Sequence, residues 1–144
     1  MTTSTAQASF SELLHLTAHA WRTELGRRVR PLGLSRATWM LLGLASRYDG
    51  LSQTELADRL GLEDASVVRL IDRLERDGLI ERRTAADRRI RTVHVTDKAK
   101  PIVAEIGKAA AQLRQELYRD VKPAELEAAT RVLTKLRAKL EKSS

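Results

Sequence analysis

The sequence predicts a mainly α (α+β) fold, a winged helix-turn-helix carrying N- and C-terminal dimerisation helices, and three observations lead there. Two short helical patterns meet at Gly61, and the second stops at Gly78. Two β-rich runs follow with an arginine-loaded loop between them, the order of a helix-turn-helix closed by a hairpin. The flanking segments hold more apolar stripe than so small a domain can cover. The expected organisation is a disordered tail over residues 1–8, a helical dimerisation region over 9–34 and 97–144, and the winged domain over 35–96.

Length and composition bound the possibilities. The chain has 144 residues, enough for one domain with helical additions and a real core. A formal net charge of +7 favours a polyanionic partner, although many basic domains never touch nucleic acid. No cysteine is present, which excludes disulfides, thiol nucleophiles, zinc fingers and a cysteine redox switch. No apolar run approaches the roughly 20 residues that span a bilayer. The N-terminal run MTTSTAQASF lacks the basic-then-apolar order of a secretory signal. The expectation is a cytoplasmic protein with no membrane contact.

Along the chain, Ser9 followed by Glu12 fits a capping box, and Phe10, Leu13, Leu14, Thr17, Trp21, Leu25 and Val29 recur at helical spacing. This helix should end near Arg30, because Pro31 disfavours helical geometry in the residue before it. Ser35 caps a second helix, with Leu34 and Trp39 placed as a hydrophobic staple. Met40, Leu41, Leu42, Leu44 and Ala45 make that helix apolar nearly all round, so it should be the central buried one. Tyr48, Asp49 and Gly50 supply turn chemistry at its end. Ser52 and Glu55 form another capping box, opening a short helix with Leu56 and Leu60 inward, and Gly61 and Leu62 make the tight turn.

In the helix expected over 64–77, Val67, Leu70, Ile71 and Leu74 lie at i, i+3, i+4 and i+7 and face the core. Gly78 should end it with a positive φ, and Leu79 should cover the end. Strands are expected over 79–83 and, alternating, over 90–95, joined by a loop around Asp87. Thr96 and Asp97 should cap a helix reaching about Val121, with Pro101 bending or loosening its start. Pro123 suits the first position of a last helix. There Leu126, Leu133 and Leu140 alternate with Ala129 and Leu136 as a heptad-like seam.

Arg69, Arg73 and Arg76 recur on the helix face away from Leu70, Ile71 and Leu74. A helix fits the major groove of B-DNA, where arginine donates two hydrogen bonds to guanine or binds phosphate. Residues near the helix N-terminus reach bases most easily, so Asp64, Ala65, Ser66, Val68 and Arg69 are the candidates for readout, with Arg73 behind them. The alternative is a solvated basic face in which Asp72 and Glu75 pair with the arginines along the helix. Arg82, Arg83, Arg88, Arg89 and Arg91 crowd residues 82–91, with Asp87 the only acid among them. An arginine at a hairpin tip suits a narrow minor groove, although an edge hairpin also carries charge to prevent sheet pairing. Helix and loop share one surface if the hairpin folds back, and double-stranded DNA is the expected partner.

His15 and His19 are four apart on one helix face, the spacing of a two-histidine metal pair. Nothing else supports a site, His94 lies on a strand, and interfacial histidines are the better reading, with no metal and no cofactor. For catalysis there is no Gly-rich phosphate loop and no nucleophile or paired-carboxylate arrangement, so no enzyme is expected.

The run SVVRLIDRLERDGLIERR, followed by DRR and then HVTDKAK, resembles the MarR family of bacterial transcription regulators. The stretch AWRTELGRRVRPLGLSRATW is similar to its SlyA-like branch, and the likeness covers residues from about 10 to 140. It implies a homodimer with interlocking first and last helices, holding two winged domains on an inverted repeat as a repressor or counter-silencer. It implies major-groove contacts by Ser66 and Arg69, and a wing of Asp87, Arg88 and Arg89 in the minor groove, the aspartate orienting an arginine. Only Thr84, Ala85 and Ala86 separate Arg83 from Asp87, one fewer than the family's commoner spacing, so which wing arginine reaches deepest stays open. Many relatives are released from DNA by small aromatic acids such as salicylate, bound between the dimer layer and the winged domain. Trp21, Arg22 and Trp39 match that branch, since an arginine beside aromatic surface holds a carboxylate and a ring. Core and hinge packing is the alternative for both tryptophans, as an effector-independent architectural protein on the nucleoid is for the whole chain.

Overall fold

In the computed structural model, which describes residues 2–142, the first helix begins earlier than its capping pattern suggests. The Thr2 hydroxyl accepts a hydrogen bond from the Thr5 backbone N–H at 3.2 Å, and helix α1 spans Thr3–Val29. The tail expected before Ser9 is therefore helical from Thr3, and Ser9 lies within the helix rather than at its cap. Ala6, Gln7 and Ala8 favour helix, so a single threonine cap upstream is enough to extend it by two turns. At the other end Arg30 keeps helical geometry (φ −51°, ψ −39°) although Pro31 follows it. The break falls at Val29 (φ −93°, ψ 2°), and a 3-10 turn over Arg30–Leu32 closes on Gly33.

Helix α2 (Arg36–Arg47) is capped by Ser35, whose Oγ accepts the Thr38 N–H at 3.3 Å. Leu41, Leu42 and Ala45 are fully buried, so α2 is the central helix that its composition predicts. Helix α3 (Gln53–Leu60) is capped by Ser52, whose Oγ accepts the Glu55 N–H at 3.1 Å. Helix α4 (Asp64–Arg76) buries Val67, Leu70, Ile71 and Leu74, and full burial of each such side chain contributes about 1.5–3 kcal/mol. It ends in a Schellman motif. Gly78 sits at φ +76°, its N–H donates to the Glu75 carbonyl at 3.0 Å, and the Leu79 N–H donates to the Leu74 carbonyl at 2.9 Å.

Strand β2 (Ile80–Thr84) pairs antiparallel with β3 (Arg91–Val95), Ile80 opposite Val95 and Thr84 opposite Arg91. A two-residue strand β1 (Leu51–Ser52) pairs with the other edge of β3, giving the order β1-β3-β2. Strand β1 is not legible in the sequence, because two residues carry no alternation to read. Thr96 does not cap the next helix through its side chain. Its hydroxyl instead donates to the Gly78 carbonyl at 2.6 Å, joining the end of β3 to the end of α4. A 3-10 turn over Asp97–Ala99 then leads into α5 (Lys100–Leu117), so the start near Pro101 is loosened as expected. Helix α5 stops at Leu117, short of Val121, in a turn where the Val121 N–H donates to the Tyr118 carbonyl. Pro123 opens α6 (Pro123–Lys142), and the Glu125 carboxylate accepts the Lys122 N–H at 3.0 Å.

The chain divides into two compact units, one running to Ala110 and the other starting at Ala111. The first holds the core just described, to which α1 contributes Val29 and, partly, Leu25. Further up α1, Phe10, Leu13 and Leu14 of the apolar stripe are exposed, as is Leu16 outside it. In the second unit Leu113 is buried and Leu126 half-buried, whereas Val132, Leu133, Leu136 and Leu140 are exposed. Among the described residues no helix is long and apolar enough to cross a membrane.

Candidate nucleic-acid interface

Helix α4 carries acids and arginines in alternation on its outer surface, and the acids find a partner elsewhere in the fold. Strand alternation puts Arg82 on the same face of β2 as buried Ile80, so its side chain turns toward the helix and is only 9% exposed. There its Nη2 donates to Asp72, its Nη1 to Glu75 Oε1 at 3.0 Å, and its Nε to Gln53 Oε1 at 2.7 Å. Glu75 Oε2 also accepts the Arg82 backbone N–H at 3.1 Å, satisfying a donor on the outer edge of β2. The bland expectation, in which Asp72 and Glu75 pair with arginines of their own helix, is not what forms. Among the described residues Arg69, Arg73 and Arg76 make no salt bridge. Arg69 instead donates to Ser66 Oγ and Arg73 to Thr38 Oγ1, both at 3.4 Å, which leaves their charge uncompensated.

These residues line an open groove of about 830 Å³ with Ser66, Leu70, Asp72, Ala37 and Leu62. At the N-terminal end of α4, Asp64 and Ala65 are exposed while Ser66 and Val68 are half-buried. Small side chains there leave the helix terminus open to close approach by a large partner. Arg73 sits one turn further along the same face as Arg69.

The hairpin tip is organised by Asp87. Its Oδ1 accepts the Arg89 backbone N–H at 3.1 Å and Arg89 Nε at 3.2 Å, and its Oδ2 accepts Arg89 Nη2 at 3.3 Å. The side-chain bonds from Arg89, followed by its backbone N–H, hold the Asp87 carboxyl below its usual range. Arg88 is exposed and has no partner among the described residues. Arg83 is set apart from both groups. It alternates with Arg82 to the opposite sheet face and donates to Glu81 at 2.8 Å. On that face it shares a hollow of about 530 Å³ with Asp49, His94, Asp97 and Lys100. The structure thus gathers the α4 arginines on one surface and Asp87, Arg88 and Arg89 on one loop, with Arg83 separate.

Of the residues expected to hold an effector, Trp39 and Arg22 come together and Trp21 does not join them. Trp39 is buried, and its indole edge packs against Gly26, where a Cβ would make an ordinary contact with Cζ2 at 3.6 Å. Trp39 and Arg22 line a hollow of about 280 Å³ with Arg27, Arg30 and Arg36. Arg22 also lines a neighbouring hollow of about 670 Å³ with His19, Met40 and Arg59. Hydrogen bonds from Arg27 and then Arg28 lower the Glu24 pKa to about 2, so Glu24 stays charged and holds Arg27 at this rim. Trp21 is half-buried and lines neither hollow.

His94, on β3, is buried. Its Nδ1 meets Asp49 Oδ1 and its Nε2 meets Thr92 Oγ1, each at 2.8 Å. His15 and His19 are exposed, and no cluster of three or more metal-ligating side chains occurs among the described residues. Sequence reasoning missed two residues, Arg82 as an anchor and Gln53 as its acceptor. The signal for Arg82 was present, because a strand that buries Ile80 turns Arg82 inward as well.

The sequence pattern of the MarR family matches residues 32–90. Among solved structures, the transcriptional regulator PA3341 is 38% identical, with 92% of this chain and 98% of that chain covered at a TM-score of 0.85. A MarR-family transcriptional regulator from Silicibacter pomeroyi is 24% identical over 88% of this chain and 86% of that one, at a TM-score of 0.78. MepR from S. aureus, in complex with DNA, is 22% identical over 91% and 96% of the two chains, at a TM-score of 0.76, a likeness of fold.

Proposed function

The chain belongs to the MarR family, and from that premise we propose that it is a transcriptional regulator, binding promoter DNA as a homodimer on inverted-repeat sites. The observation that carries this reading is the pairing of Asp72 and Glu75 with Arg82, which leaves three arginines of α4 uncompensated on an open face. A phosphate backbone is the partner such a face fits, because arginine neutralises phosphate and releases condensed counterions. In this reading α4 enters the major groove with Asp64, Ala65, Ser66, Val68 and Arg69 nearest the bases and Arg73 toward the backbone. The wing enters the minor groove with Arg88 and with Arg89, which Asp87 orients; Arg83 makes at most a flanking contact. The exposed leucines of α1 and α6 supply the dimer contact. Cytoplasmic location on the nucleoid goes with this role.

The finer assignment is to the SlyA-like branch, with release by a small aromatic acid. The hollow lined by Arg22, Arg27, Arg30, Arg36 and Trp39 supports it, since it offers cations for a carboxylate beside an indole surface.

Selection of bound duplexes from a random DNA library tests the proposal, and an inverted repeat is the expected product. Comparable affinity for scrambled duplexes at moderate salt would make the protein an architectural binder instead. The selected duplex then serves for challenge with salicylate. Release that the Arg22→Ala variant abolishes supports the effector hollow, and retention of wild-type protein on DNA at saturating salicylate rejects it.

A further inference from the structure

We propose that Arg82 is the positioning residue that sets the wing against the recognition helix α4, without itself touching DNA; this rests on the DNA-binding reading above. The wing tip is an extension of β2 and β3, so its aim depends on what holds β2 to the helix. Arg82 does this from the middle of β2, with donors spread over three separate points. Its Nε reaches Gln53 at the start of α3, and its two Nη groups reach Asp72 and Glu75 a turn apart on α4. Nη2 also lies 3.5 Å from the Val68 carbonyl, one turn before Asp72. Only a guanidinium makes this arrangement. Its five N–H donors lie in a rigid plane, whereas a lysine ammonium is a point charge that cannot span the same acceptors.

The same contacts have an electrostatic consequence. Asp72 and Glu75 stand beside Arg69, Arg73 and Arg76, where two bare carboxylates would oppose phosphate. Arg82 neutralises both from the sheet side, at 9% side-chain exposure, too buried to make a phosphate contact of its own. One residue therefore aims the wing and unmasks the cations of the helix. Its acceptors keep 51% and 42% exposure, so removing Arg82 leaves hydrated rather than stranded carboxylates, and the fold should persist.

A double-mutant cycle on the full chain and its selected duplex tests this. Arg82→Lys and Arg82→Met are combined with the pair Arg88→Ala and Arg89→Ala, and affinity is read against salt. Removing the two wing arginines from both protomers of the bound dimer should lower the slope of log affinity against log salt by about 4. Arg82→Lys, which keeps the charge, should lose about tenfold in affinity and most of that wing slope. Adding the wing substitutions to it should then cost little more. Full additivity, or wild-type affinity for Arg82→Lys, overturns the proposal. If Arg82→Met melts early and is not usable, Gln53→Ala removes one anchor with no change of charge. A loss of wing slope there supports the proposal, and an unchanged slope rejects it. Should wild-type protein bind DNA with no change on removing Arg88 and Arg89, the wing reading itself fails, independently of Arg82.

Discussion

Arg69 lies in the second turn of α4 with its guanidinium held only by Ser66 Oγ at 3.4 Å, a contact long enough to be exchanged for a better acceptor. Arg69→Ala should weaken a specific site by about 1–3 kcal/mol and relax preference at the base pair it reads. Affinity measured over a panel of single-base variants checks this, and an unaltered pattern of preference would make Arg69 a phosphate contact. The contrast with Arg82 shows how far residue type can be read. Both are arginines within a basic run, and composition treats them alike. Arg69 faces outward because a helix that buries Val67, Leu70, Ile71 and Leu74 leaves that position on the other side, which spacing alone establishes. Arg82 faces inward to carboxylates at positions 72 and 75 and an amide at position 53. Which acceptors an arginine meets across 7 to 29 residues of chain is settled by packing, and no local pattern encodes it.

Elements begin and end largely where short-range chemistry says they must. Ser35 and Ser52 cap α2 and α3 with the hydrogen bonds that their spacing predicts, and Gly78 closes α4 in the left-handed region. A Cβ on Gly78 would meet Lys98 Cδ at 3.5 Å, an ordinary contact, so the cost of a side chain there is in the backbone. Gly78→Ala should destabilise the domain by about 1–2 kcal/mol in urea unfolding. Gly43→Ala is the matching comparison, inside α2 with ordinary helical geometry and a Cβ 3.9 Å from Ile106. It should be neutral or stabilising by up to about 1 kcal/mol. Equal losses at both positions would remove the argument from φ. Where boundaries shift, a longer-range contact or a weaker signal is responsible. Thr96 gives its hydroxyl to Gly78 rather than to a helix N-terminus, and Thr2 rather than Ser9 caps α1.

At the scale of the whole molecule, apolar side chains without cover bear most directly on assembly. Leu13 and Leu16 on α1, and Leu133, Leu136 and Leu140 on α6, are exposed in the single chain, more apolar surface than scattered solvent-facing leucines account for. A dimer at micromolar concentration is the expected result of sedimentation velocity. Leu133→Asp together with Leu136→Asp should shift the protein toward monomer and weaken binding to an inverted repeat more than to a single half-site. A wild-type chain that sediments as a folded monomer would sink this part of the proposal. Each of the two units contributes its own exposed helix face.

Legible in the residues alone were the order of the six helices and the β2–β3 hairpin, the buried faces of α2 and α4, the glycine stops and a basic helix followed by a basic hairpin. These follow from interactions among residues a few positions apart, where spacing and residue type are the whole of the physics. Which of the cations pair with the protein's own acids was set by the packing of the elements. It turned Arg82 onto Asp72 and Glu75, moved Arg83 to the far sheet face with Glu81, tied Arg89 to Asp87, and left Arg69, Arg73 and Arg76 uncompensated among the described residues. Charge pairing depends on distances between elements, and those distances exist only after the helices and the sheet have packed.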